Sequence, residues 1–173
     1  DLSTWLEACF ENELILDGVV AQSSKDAVAL WHLREGISES LTREAFLYKY
    51  DVSVPVVKMA SFEKALGELA RTECDGYPVY LFGHVGDGNL HLNVLKPDAV
   101  SKEDFLSTCR NAEPAIFELI RSYQGSVSAE HGIGLLKKKA LPYSRTATEL
   151  ALFRGMKTVF DPKGLMNPGK ILD

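Results

Sequence analysis

Cysteine is scarce in this chain: Cys9, Cys74 and Cys109 are the only three among 173 residues, and they are widely separated with no C-x-x-C pair. An odd, scattered set argues against both a disulfide framework and a thiolate zinc site, and suits an intracellular, reducing compartment. Basic blocks are also missing apart from Lys137-Lys138-Lys139, and the formal net charge is −5 with a pI near 5.4. That balance argues against nucleic acid or an anionic membrane as the main partner. There is no apolar run of membrane-spanning length, and the opening "DLSTWLEACFENEL" lacks the basic-then-apolar order of a signal peptide. It enters directly on a helix-forming stretch, from which we expect further protein upstream. The chain has no G-x-S-x-G, no Walker loop and no G-x-G-x-x-G, so the common acyl-transfer and phosphate-binding signatures are absent.

What is present is enough for one globular domain with a real core, 46% of the residues being hydrophobic. Ser3 can cap a helix running to about Leu16, and Ser24 a second one, "SKDAVALWHLREGISESL", with Gly36 as its weak point. Arg34 and Ser38 stand four apart in that stretch, a spacing that puts both on one helical face. "FLYKYDVSV" alternates strictly and reads as a strand ended by Pro55; Lys49, Asp51 and Ser53 share one side of it. A helix starts near Ser61, "YPVYLFGH" is a strand, Gly86-Asp87-Gly88 marks a tight turn, and "NLHLNVL" returns. A helix follows from Ser101 to about Gly125, interrupted or begun afresh near Pro114. We then expect a short strand in "GSVSAEHG", a basic helix in "LLKKK", a last helix opened by Thr146-x-x-Glu149, and an ordered irregular tail.

From residue 46 the order β-α-β-β-α-β implies an α+β, ferredoxin-like antiparallel sheet with helices on one face, flanked by N-terminal and C-terminal helices. In the usual order of that sheet the first and third strands are neighbours, which brings Lys49 beside Asn89, His91 and Asn93. Alternation turns Leu90, Leu92 and Val94 to the helices and Asn89, His91 and Asn93 to the uncovered face.

On that face four groups converge: His84 at the end of the second strand, His91 on the third, and Glu130 with His131 after the fourth. Two imidazoles and a carboxylate make a catalytic-zinc ligand set, and the same set suits ferrous iron or manganese. A solvated histidine pair across a hairpin, with an exposed Glu-His, satisfies the same spacing. Arg34, Ser38 and Lys49 read equally well as ordinary polar surface.

"GHVGDGNLHLNV", "GSVSAEHGIGLLKKK" and "FDPKGLMNPGKIL" together resemble the C-terminal domain of the FAD-linked oxidases acting on D-2-hydroxy acids, the D-2-hydroxyglutarate and D-lactate dehydrogenase family. "LWHLREGISESLTREAFLYKYDVSVPV" resembles the preceding segment of the 2-hydroxyglutarate branch, and the likeness covers the chain from about Leu14 onward. The resemblance implies that His84, His91 and Glu130 hold a divalent metal, zinc first, and that His131 is the catalytic base. It implies that Arg34, Ser38, Lys49 and Asn93 bind the substrate, and that Asn167 lies in the tail that approaches the flavin. Ser38 stands where the family pattern has Thr, which keeps the hydroxyl and lacks a methyl.

The same resemblance implies residues 1–173 as one substrate domain, with FAD bound mainly by an N-terminal domain not contained in this chain. The partners implied are that domain and a small 2-hydroxy acid, with the electron acceptor unspecified and a homodimer left open. The location implied is the mitochondrial matrix in a eukaryote and the cytoplasm in a bacterium. Two other readings of the residues remain open here: a free-standing metal hydrolase using the same ligands, and a non-catalytic module that binds a small acid.

Overall fold

A computed structural model describes residues 2–172 and divides the chain into two compact units, residues 1–41 and 42–173. The first unit holds α1 (Leu2–Glu11), α2 (Ser24–Glu35) and most of α3 (Ile37–Glu44), which runs on into the second. The side chain of Ser23, one residue earlier than expected, caps α2 by accepting from the Asp26 N–H. The continuous second helix expected from the sequence is two helices that meet at Gly36, so Arg34 ends up in α2 and Ser38 in α3. Gly36 is where helix propensity is lowest.

The second unit carries β1 (Leu47–Ser53), α4 (Met59–Glu73), β2 (Val79–His84), β3 (Asn89–Leu95), α5 (Lys102–Ser122) and α6 (Ala147–Phe160). The sheet is antiparallel in the order β1-β3-β2. On one face Tyr50, Val52, Leu90, Leu92 and Val94 pack against Phe62, Leu66 and Ala70 of α4 and Phe105, Cys109, Ile116 and Ile120 of α5. The buried positions of α5 fall at three- and four-residue steps, and this stripe carries the helix unbroken past Pro114, which lies off the buried stripe. The chain is therefore α+β with helices on one face of the sheet, consistent with a ferredoxin-like arrangement.

Two expected elements are replaced. The fourth strand is reduced to a single antiparallel bridge, Ser53 to Ser126, on the outer edge of β1. Past that bridge the Asp51 carboxylate takes over the pairing: its Oδ2 accepts from the N–H groups of Ala129, Glu130 and His131 at 3.1, 2.9 and 3.0 Å. The Ala129 N–H is shared with the Asp51 carbonyl oxygen at 3.2 Å, while those of Glu130 and His131 go to the side chain instead of a strand ladder. The "LLKKK" helix is likewise a series of turns leading to a 3-10 turn at Leu141–Tyr143. The Lys137 ammonium points inward there, donating to the carbonyls of Val127 and Asp51 and to Ser128 Oγ.

The β2-β3 connection is a 3-10 turn, Val85–Asp87, closed by Gly88 at φ +70°. Of the three expected turn residues only Gly88 needs the left-handed conformation, and a Cβ there would also lie 2.1 Å from the Val54 carbonyl oxygen. α6 is opened by a full capping box, with the Thr146 side chain on the Glu149 N–H and the Glu149 carboxylate on the Thr146 N–H. The tail is ordered without regular structure: Asp161 accepts from the N–H groups of Leu165 and Met166, and Ile171 donates to Gly134.

Candidate metal and substrate site

The register of the sheet assembles the site row by row. Ser53, Asn89 and His84 lie side by side at one end, then Asp51, His91 and Phe82, then Lys49, Asn93 and Tyr80. All nine share the face turned away from α4 and α5, because side chains alternate along a strand. Lys49 and Asn93 are direct cross-strand partners, as the sheet order required.

His84, His91 and Glu130 each offer a ligand atom, and these atoms lie within 4.8 Å of one another. His84 Nδ1 and Glu130 Oε1 are 3.4 Å apart. Tetrahedral zinc with ligands at about 2.0–2.1 Å places neighbouring ligand atoms about 3.3 Å apart, so this pair already has a suitable spacing. Asn89 donates through Nδ2 to the same Glu130 oxygen and holds the carboxylate over the hairpin. Burial pushes His91 below the ordinary imidazole value against the pull of Asp51 and Glu130, which favours the neutral, metal-ligating form.

His131 is mostly exposed, its ring stacked near that of His91 with centroids 6.2 Å apart. A second group, Asp51, Glu130 and His131, is also close enough to surround an ion. The Asp51 Oδ2 is taken up by three backbone N–H groups, which leaves Oδ1 as the atom it has to offer. Burial opposes the charge of Asp51, but the N–H groups of His131 and Glu130, with His131 and Lys137 nearby, outweigh it and hold its carboxyl below the ordinary range.

Three buried side-chain atoms on this face have no hydrogen-bond partner among the described residues: Asp51 Oδ1, Asn89 Oδ1 and Asn93 Nδ2. Each such atom costs about 1–3 kcal/mol, and native proteins carry few of them. All three lie on the sheet face that carries His91. Beside Lys49 a partly enclosed cavity of about 570 Å³ is lined by Arg110, Lys137 and Lys139 as well as Lys49, with Glu113 as the one acidic residue of that lining. The Lys49 ammonium donates to Thr42 Oγ1.

Of the expected site residues, the second unit brings His84, His91, Glu130 and His131 to one place, and sets Lys49 and Asn93 side by side two positions along the sheet. Arg34 and Ser38 belong to the first unit and Asn167 to the tail, where it adopts φ +45°. Asp51 is the site residue that the sequence patterns did not single out, and Asn89, placed on this face by alternation, was given no role. An aspartate in the middle of a strand otherwise rich in aromatic and β-branched residues was the available signal, since strands are depleted in Asp.

Comparison with known proteins follows the same lines. Residues 1–171 match the family model of the C-terminal domain of FAD linked oxidases. The chain is 45% identical over 165 residues to the D-2-hydroxyglutarate dehydrogenase of Stutzerimonas stutzeri, which is 95% of this chain and 35% of that protein. It is 48% identical over 170 residues to the enzyme of the same name from Xanthomonas citri pv. viticola, 96% of this chain and 35% of that protein. Against the mitochondrial D-2-hydroxyglutarate dehydrogenase of Danio rerio the identity is 41% over 176 residues, 99% of this chain and 31% of that protein. The chain spans about a third of the length of these relatives. No helix among the described residues is long and apolar enough to cross a membrane. On the family match over nearly its whole length, the chain belongs to the C-terminal domains of FAD-linked oxidases.

Proposed function

We propose that this chain is the substrate- and metal-binding part of an FAD-dependent dehydrogenase that oxidises a D-2-hydroxy acid, D-2-hydroxyglutarate before D-lactate, to the 2-oxo acid. The observation that carries the reading is the joint presence, on one sheet face, of a two-histidine, one-carboxylate ligand set and three unpartnered buried polar atoms. A divalent cation, zinc first, held by His84, His91 and Glu130 supplies Lewis acidity that lowers the pKa of a hydroxyl beside it. FAD, the oxidant implied by the family, supplies the two-electron acceptor and is bound mainly by another domain.

The chain's own residues do the rest. His131, mostly exposed beside the ligand set, takes the proton of the substrate hydroxyl. Asn93 Nδ2 is a buried donor with no partner among the described residues, and Lys49 adds a cation one strand away, so the pair suits a carboxylate or hydroxyl oxygen. The family resemblance assigns Arg34 and Ser38 to substrate binding, and the two-pronged guanidinium of Arg34 suits a carboxylate. The cationic lining around Lys49 favours a dicarboxylate over lactate. Asn167 belongs to the segment that meets the flavin. The reading also places the whole enzyme in the mitochondrial matrix or the bacterial cytoplasm, as its relatives' names suggest for the eukaryotic case.

Zinc titration of the metal-free chain against a chromophoric chelator tests the ligand set. The wild type should bind one zinc, and His91→Ala should weaken binding by at least about tenfold. Equal affinity in the two proteins removes the triad. With zinc present, D-2-hydroxyglutarate should bind the wild type more tightly than Lys49→Ala, and indifference to Lys49 withdraws its substrate role.

A further inference from the structure

Asp51 touches nearly everything that the proposed chemistry uses. It is 3% exposed, sits at the centre of β1, and directly faces His91 across the strand pair. Its Oδ2 gathers the backbone N–H groups of residues 129 to 131, which fixes where Glu130 and His131 leave the sheet edge. Its Oδ1 has no hydrogen-bond partner among the described residues and lies 3.6 Å from His91 Nδ1, while His131 Nδ1 lies 3.6 Å from Oδ2. These two separations are longer than hydrogen bonds, and less than about 1 Å of ring movement brings either into range.

We propose that Asp51 is a positioning residue whose carboxylate holds both His91 and His131 in the tautomer with Nδ1 protonated, so that each ring presents Nε2 for ligation and for base work. The inference rests on the roles given above to His91 and His131. Its physical basis is direct. A neutral imidazole carries one N–H and one lone pair, and a buried carboxylate beside Nδ1 attracts the N–H and repels the lone pair. Metal-bound histidines commonly have their other nitrogen fixed in this way by a carboxylate, and here one carboxylate serves two rings. The rival role, Asp51 as a metal ligand with Glu130 and His131 through its Oδ1, predicts no preference for Nδ1–H in the metal-free rings.

The test is a long-range proton–nitrogen correlation spectrum of the ¹⁵N-labelled, metal-free chain, taken about two units above the ordinary imidazole pKa of about 6.5. His91 and His131 should both appear as Nδ1–H tautomers in the wild type. In Asp51→Asn, whose side chain still offers an oxygen to residues 129 to 131 but can turn an NH₂ towards the rings, one or both should shift to Nε2–H. Zinc affinity should then fall by about 10–100-fold with the circular dichroism unchanged. Nε2–H tautomers in the wild type, or a spectrum and affinity unmoved by Asp51→Asn, overturn the inference. If Asp51→Asn fails to fold, the wild-type tautomers alone decide it. If the wild type binds no zinc, the proposed function falls, while the tautomers still report on Asp51 independently.

Discussion

Replacing Gly83 by alanine should loosen the site from within the sheet. Gly83 is the penultimate residue of β2, paired with Leu90 and adjacent to His84, and its backbone does not need positive φ. A Cβ at this position would meet the Asn89 carbonyl oxygen at 2.2 Å and the Leu90 Cα at 2.9 Å, both of them backbone atoms of β3 that no rotamer change can move. Relief requires β2 and β3 to part by about 1 Å, which takes ladder bonds of about 2.9 Å out of hydrogen-bond range. Two such bonds at about 1 kcal/mol each, plus some repacking, come to about 2–3 kcal/mol. Against this, alanine lowers the entropy of the unfolded chain by about 0.4–1 kcal/mol. The net loss of about 1–2.6 kcal/mol should lower Tm by roughly 2 to 10 °C at this chain length. Gly86, three residues on in the same connection, has no positive φ, and a Cβ there would find nothing within 4 Å, so Gly86→Ala should leave Tm unchanged or slightly raised. Thermal unfolding followed by circular dichroism, together with zinc titration, measures both effects. Since His84 and Asn89 flank the clash, Gly83→Ala should also weaken zinc binding. A melting temperature within about 1 °C of wild type for Gly83→Ala, or equal losses in both variants, refutes the steric argument.

Other perturbations have equally definite outcomes. Leu66→Ala removes a fully buried side chain from the α4 face of the core and should cost about 2–5 kcal/mol in urea unfolding, whereas Leu152→Ala, at a position 62% exposed, should stay within about 0.5 kcal/mol. Thr146→Ala breaks the capping box of α6 and should cost about 1 kcal/mol by the same assay. The partner in that box, Glu149, has its pKa held below 4.5 by hydrogen bonds from the Thr146 backbone and side chain. A depressed folded-state pKa stabilises above the unfolded value and stops doing so as pH falls through the folded one. The Tm gap between wild type and Glu149→Gln should therefore be full at neutral pH and shrink on acidification below 4.5; a gap that widens in acid contradicts the assignment.

Much of the site was determined by the sequence alone, because it depends on local geometry. Alternation along β1 and β3 put Lys49 and Asp51 on one side and His91 and Asn93 on the matching side, and the short hairpin kept His84 near Asn89. Strict alternation holds whatever surrounds the strand. The capping box at Thr146 was legible for the same reason, all of its atoms lying within four residues. What only the tertiary structure decided involves partners far apart in the chain. Asp51 meets its three N–H donors 78 to 80 residues away, and that contact replaces the fourth strand with a loop pinned by a carboxylate. Lys137 abandons the expected helix for carbonyls at Asp51 and Val127, because a half-buried ammonium must find acceptors. Periodicity and caps carry no record of such contacts. A strand propensity in residues 125 to 132 and a helix propensity in residues 135 to 139 are worth tenths of a kcal/mol per residue, less than the cost of leaving Asp51 and Lys137 buried without each other's company and their backbone partners.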